Sequence, residues 1–134
     1  MILHINDNRL LREIQMDFSK FYPYLKMEFF KSKSDPFLLS DVALIPVSSY
    51  SKVGSVRRNH HQGALHLFPN TSVKDLEYRM KYEFSIAIQI YHYTKAGWIP
   101  TDVAAIATLE ELNEQGRREF HELHNVAAQS KNLL

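Results

Sequence analysis

The sequence predicts an α+β fold, a ferredoxin-like duplicated strand–helix–strand sandwich: an antiparallel sheet with two helices on one face, extended by a C-terminal hairpin strand and helix. Three observations carry this prediction. First, Leu11, Ile14, Phe18 and Tyr22 recur at spacings of three, four and four, and Val73, Leu76, Met80 and Phe84 repeat that pattern 62 residues later. Such spacing puts each set on one stripe of a helix. Second, both stripes are flanked by alternating apolar stretches, which mark strands with one buried face. Third, capping and stop residues fall in the same order in both halves. The repeat units span about 1–30 and 64–92 within a single domain of residues 1–134.

In chain order, Leu3-His4-Ile5 reads as the first strand. Asn8 is placed to cap the first helix, and Pro23 ends it, because a residue before proline is pushed out of the helical region. Leu25, Met27 and Phe29 then alternate as a second strand. The second half repeats the order with Leu65-His66-Leu67, a capping box at Ser72 and Asp75, and alternating Ile86, Ile88 and Ile90. Right-handed crossovers interleave the units and bring their first strands together at the centre of the sheet. His4 and His66 then lie near each other on the face without helices. Residues 93–98 read as a turn, with Gly97 free to take positive φ, into a short strand around Trp98 and Ile99. Thr108 and Glu111 form a capping box, Leu109 and Leu112 face inward, and Gly116 stops the helix. Beyond it Phe120, Leu123 and Ala127 keep helical spacing, in a tail (117–134) that either docks or frays.

The segment 31–63 between the units is 33 residues long, against a usual connection of about 4–6. Lys31, Lys33, Lys52, Arg57 and Arg58 face only Asp35 and Asp41 there, a local charge of +3. Yet Phe37-Leu38-Leu39 and the run from Val42 to Val47 are too apolar for a solvated tether. Part of the segment is expected to pack, over the open sheet face, with Ser48 to His61 as a mobile tip.

Composition narrows the function. Of 134 residues, 45% are hydrophobic and 23% charged, which excludes a fibrous or wholly disordered chain. The absence of Cys excludes a disulfide scaffold, a thiol nucleophile and an iron–sulfur cluster. A net charge of +1 is no polycation built for nucleic acid. No segment is long and apolar enough to span a membrane, and the N-terminus lacks the features of a signal peptide, so a cytoplasmic protein is expected.

The run Tyr22-Pro23-Tyr24-Leu25-Lys26-Met27-Glu28-Phe29-Phe30 resembles the first half of an uncharacterised family of small bacterial proteins. The stretch from Gly97-Trp98 through Thr101 to Thr108-Leu109-Glu110-Glu111, with Asn113 and Gly116, is similar to that family's second half. The chain departs from the family pattern at Ala107 and Leu112, where the family carries an aromatic and a glutamine. The resemblance implies a domain and transfers no activity, cofactor or site residue.

No catalytic constellation stands out. The serines at 48, 49, 51 and 55 lack a nucleophile elbow, Gly54 and Gly63 stand alone, and Glu110-Glu111 lie where they favour a helix dipole. Seven His invite a metal, through the adjacent His60-His61, the pair His121 and His124, or His4 and His66 with one loop histidine; surface histidines are the simpler reading. No enzyme activity, metal or cofactor is therefore expected. Lys52, Arg57, Arg58, His60 and His61 form a basic loop, which with an open sheet face suggests nucleic-acid binding as the alternative. The favoured expectation is a non-catalytic protein-interaction or self-association domain. Its surface is formed by Phe30, Tyr91, Tyr93 and Trp98, and its partner is another protein or a second copy, with the sheet edges also open to pairing.

Overall fold

Two antiparallel sheets form where the sequence predicts one. The computed structural model describes residues 1–33, 43–101 and 106–132. Its elements follow the order β1 (Ile2–Ile5), α1 (Leu11–Phe21), β2 (Leu25–Lys33), β3 (Ala43–Pro46), β4 (Gly63–His66), α2 (Val73–Phe84), β5 (Ala87–Thr94), β6 (Gly97–Pro100) and α3 (Leu109–Asn132). The chain is α+β. β1 and β4 pair antiparallel in a two-stranded ribbon, while β3-β2-β5-β6 form a four-stranded antiparallel sheet. The first strands of the two halves do meet, with Leu3 opposite Leu65, but they leave the sheet of β2 and β5. Alternation specifies which face of a strand is buried and leaves its neighbour open; this is why the single ferredoxin-like sheet does not follow from the pattern.

One core joins both sheets. Leu3, Ile5, Leu65 and Leu67 from the ribbon side meet Leu11, Ile14 and Phe18 of α1, Val73, Leu76 and Met80 of α2, and Leu25, Met27, Phe29, Ile88 and Ile90 of the larger sheet. His4 and His66 face outward from the ribbon, exposed on either side of the Leu3–Leu65 pair. The segment 31–63 contains a strand: its apolar run holds β3, which pairs with the end of β2. Phe37 to Leu39 and Val42, expected to cover the sheet face, lie outside the described residues.

The part expected to be mobile, Ser48 to His61, is pinned. Carbonyls of Ser51 and Ser49 accept from the Leu11 and Arg12 amides at 2.9 and 2.7 Å, satisfying donors that every helix start leaves open. Asn8 does not cap α1. Leu10 precedes the helix, its amide donating to Glu13 Oε1, while Asn6 Oδ1 accepts from the Asn8 and Arg9 amides. Ser72 caps α2 through the Asp75 amide, and Ser85 ends it in the left-handed region at φ 55°. Thr108 and Glu111 exchange the two hydrogen bonds of a capping box at α3.

Gly116 does not stop α3; the helix runs on to Asn132. Its missing side chain instead allows a close approach. A Cβ there would sit 2.7 Å from Tyr24 Cβ and 3.4 Å from Tyr93 Cβ. Alanine at an ordinary helix interior position gains roughly 1 kcal/mol over glycine, whereas overpacking costs about 1–3 kcal/mol. Gly116→Ala is therefore expected to lower the melting temperature, measured by circular dichroism; a rise would show that α3 does not bear on Tyr24.

Candidate functional site

The face of the larger sheet turned away from α1 and α2 gathers the aromatic residues. Leu25, Met27 and Phe29 of β2 are buried, so Lys26, Glu28 and Phe30 point the other way. On β5, Ile88 and Ile90 are buried and Gln89, Tyr91 and Tyr93 share the outer face. Register confirms the grouping: Lys26 lies opposite Tyr91, Glu28 opposite Gln89, and Tyr93 opposite Trp98. All four residues expected to form an interaction surface, Phe30, Tyr91, Tyr93 and Trp98, stand on this one face, each half-buried.

They do not form a uniform patch. Tyr93 packs edge-on against Trp98 at 5.5 Å and against Phe120 of α3 at 5.6 Å, with Tyr24 closing the cluster. The Lys26 ammonium lies 4.3 Å from the centre of the Trp98 ring, a cation–π contact across the face. Tyr93 is therefore partly a packing residue under α3, and Tyr91, Lys26, Trp98 and Phe30 are the more open part. The edges of this sheet are guarded: both outer strands are four residues long and end in exposed prolines, Pro46 and Pro100. Proline offers no amide to an incoming strand, so edge pairing, which the sequence left open, is disfavoured.

Of the five residues of the basic loop, Arg57 is turned into the fold. Arg57 is only 6% exposed. Its Nε donates to Asp7 Oδ1 at 2.9 Å, Nη2 lies 2.8 Å from the same oxygen, and Nη1 donates to the carbonyls of His61 and Phe84. His60 Nδ1 sits 2.8 Å from Asp7 Oδ2, and the His61 ring lies against Phe84. Lys52, Arg58, His60 and His61 remain exposed, while Arg57 is spent inside the fold. Sequence proximity to Arg58 hid this, because the partner Asp7 is 50 residues away. Desolvation raises the Asp7 pKa, yet hydrogen bonds from His60 and Arg57 outweigh it and hold the carboxyl below its ordinary 3.8.

Two titratable groups went unread in the sequence. Glu77 of α2 is half-buried and accepts from the Ile90 amide at 3.2 Å; burial pushes its pKa up to about 7, with that hydrogen bond opposing. Gln15, at the matching place in α1, likewise reaches the backbone of its neighbouring strand through the Met27 carbonyl at 2.9 Å. His92 bonds Thr101 Oγ1 at 2.9 Å, and burial lowers its pKa while the Glu119 charge opposes. Two shallow hollows, of about 430 Å³ beside Asn70, Glu111 and Arg118 and about 270 Å³ beside Gln15, Lys26 and Tyr50, are lined by no histidine. No cluster of three or more metal-ligating side chains occurs among the described residues.

The Glu77 position makes a pH prediction. Its folded pKa is raised, so the fold holds a proton that the unfolded chain has already lost; the resulting stability is full below about 4.5 and disappears as pH rises through about 7. Glu77→Gln keeps an acceptor for the Ile90 amide and has no charge to desolvate. Thermal melts should show the variant matching wild type near pH 4.5 and exceeding it at pH 8; equal melting temperatures at pH 8 would contradict the burial of this carboxyl. Arg57→Met, which keeps the stem and removes the charge, should lower stability at neutral pH by leaving Asp7 without its main partner. Urea titration checks this, and an unchanged midpoint would show the pair to be incidental. Compared with known proteins, the chain matches no family model, no curated protein and no solved structure.

Proposed function

We propose that this chain is a non-catalytic binding domain that takes another folded protein surface on the outer face of its four-stranded sheet. One observation carries the reading: Phe30, Tyr91 and Trp98, with Lys26 between them, occupy a single face that α1 and α2 leave uncovered. Aromatic residues with a scattered charge are the composition of interface cores. The nucleic-acid alternative keeps the aromatic face and loses Arg57, so it has one exposed lysine on that face and little to neutralise phosphates with. The domain also reads as two copies of one strand–helix–strand–strand unit; the Leu3–Leu65 pair and the parallel duties of Gln15 and Glu77 support that reading. Membership of the family its residues resemble belongs with this proposal; what supports it is the runs 22–30 and 97–116.

The test is native co-purification from the source cell with and without nuclease, using wild type and Tyr91→Ala. Tyr91 is half-exposed, so its truncation should leave the melting temperature within a few degrees of wild type while the bound protein is lost. Retention of the same protein by a folded Tyr91→Ala would overturn the proposal, as would loss of all binding on nuclease treatment.

A further inference from the structure

We infer that the occupant of the outer face is a second copy of this chain, in a face-to-face dimer in which Lys26 of each protomer meets Glu28 of the other. The inference rests on the proposed binding role of that face and names its partner. A twofold dimer presents the same patch on both sides, so the patch must complement itself. This one does: β2 carries Lys26 and Glu28, both exposed, on the same face and one pleat repeat apart. Stacking two copies of β2 antiparallel about an axis near Met27 sets each ammonium against the partner's carboxylate. The rest of the open face carries no net charge to reject a copy: Gln89, Tyr91, Trp98 and Phe30 are neutral.

Two further features agree. Prolines at the ends of both edge strands of the larger sheet disfavour joining copies along those edges. α3 also runs on past the end of the face, where Glu122 pairs with Lys95. Phe120 rests on Tyr24 and Tyr93 at one end of the face, residues 121–125 are exposed, and the helix continues to Asn132. Antiparallel stacking of the two β2 strands puts this part of each α3 beside the Phe30 end of the other copy. Strand lengths and spacings give a face of roughly 500 Å² per copy, so the contact totals about 1,000 Å², the lower bound for a specific interface. An interface of this size belongs with the small, transient ones.

Sedimentation velocity over about 1–200 µM protein tests this. Wild type should shift from monomer to dimer across the range, and more weakly at high salt. Lys26→Glu and Glu28→Lys should each weaken association at least tenfold, because each sets like charges opposite one another. An equimolar mixture of the two variants should regain association close to wild type, since each then supplies the charge the other lacks. Circular dichroism melts confirm that both variants are folded; should either fail, Tyr91→Glu gives the same loss of dimer without touching the charges. A wild type that stays monomeric throughout, or a mixture no better than the separate variants, overturns the dimer. A monomeric wild type that still loses a co-purifying protein on Tyr91→Ala refutes the second copy alone and leaves the binding role standing.

Discussion

The pairing of β2 with β5 is the constraint on which the rest depends. Its register runs from Leu25 opposite His92 to Phe30 opposite Ala87, and it joins the two halves of the chain through their longest strands. Because side chains alternate, this single alignment decides two surfaces at once. It turns Met27, Phe29, Ile88 and Ile90 into the core beneath α1 and α2, and it turns Lys26, Phe30 and Tyr91 outward. A slip of β2 by one residue would bury Lys26 and Glu28 and expose Met27 and Phe29, so the outer face and the core are specified by the same hydrogen-bonded ladder.

A second constraint holds the halves at the other end. Asp7 leaves β1, Arg57 lies just ahead of β4, and Phe84 ends α2; one buried guanidinium bonds all three segments. Two of its three acceptors are main-chain carbonyls, which would otherwise stand unsatisfied, so the arginine does the work of a cap as well as of an ion. The 49–51 carbonyls at the start of α1 extend the same function. What reads as a long basic insert is, from Ser48 on, a brace that closes helix ends and ties β1 to α2.

Elements governed by local chemistry were legible in the sequence. The spacing of Leu11, Ile14 and Phe18 identifies α1, the Ser72 hydroxyl identifies the start of α2, and Thr108 with Glu111 identifies the start of α3. The outer-face aromatics were also legible, because alternation alone assigns Tyr91 and Tyr93 to the side opposite Ile90. What escaped was set by distant neighbours. Gly116 looks like a helix stop in isolation, and only the presence of Tyr24 makes it a contact point. Arg57 looks solvated beside Arg58 until Asp7 is brought to it. The division into two sheets escaped for the same reason: nothing within residues 2–5 says whether the strand pairs with β4 or with β5.

The polar groups divide between those set into the fold and those on the outer face. A reactive site needs an acid or base, a nucleophile or electrophile, and a concavity that holds them in mutual reach. Here Asp7 is engaged by Arg57 and His60, Glu77 by the Ile90 amide, and His92 by Thr101. Each is set against main chain or a neighbouring side chain that it steadies, and they lie on separate elements. The outer face has the opposite character, with few hydrogen-bonding demands, broad aromatic area and one charge of each sign. Such a surface gains by excluding water against a complementary surface, and its opposed charges set orientation more than strength.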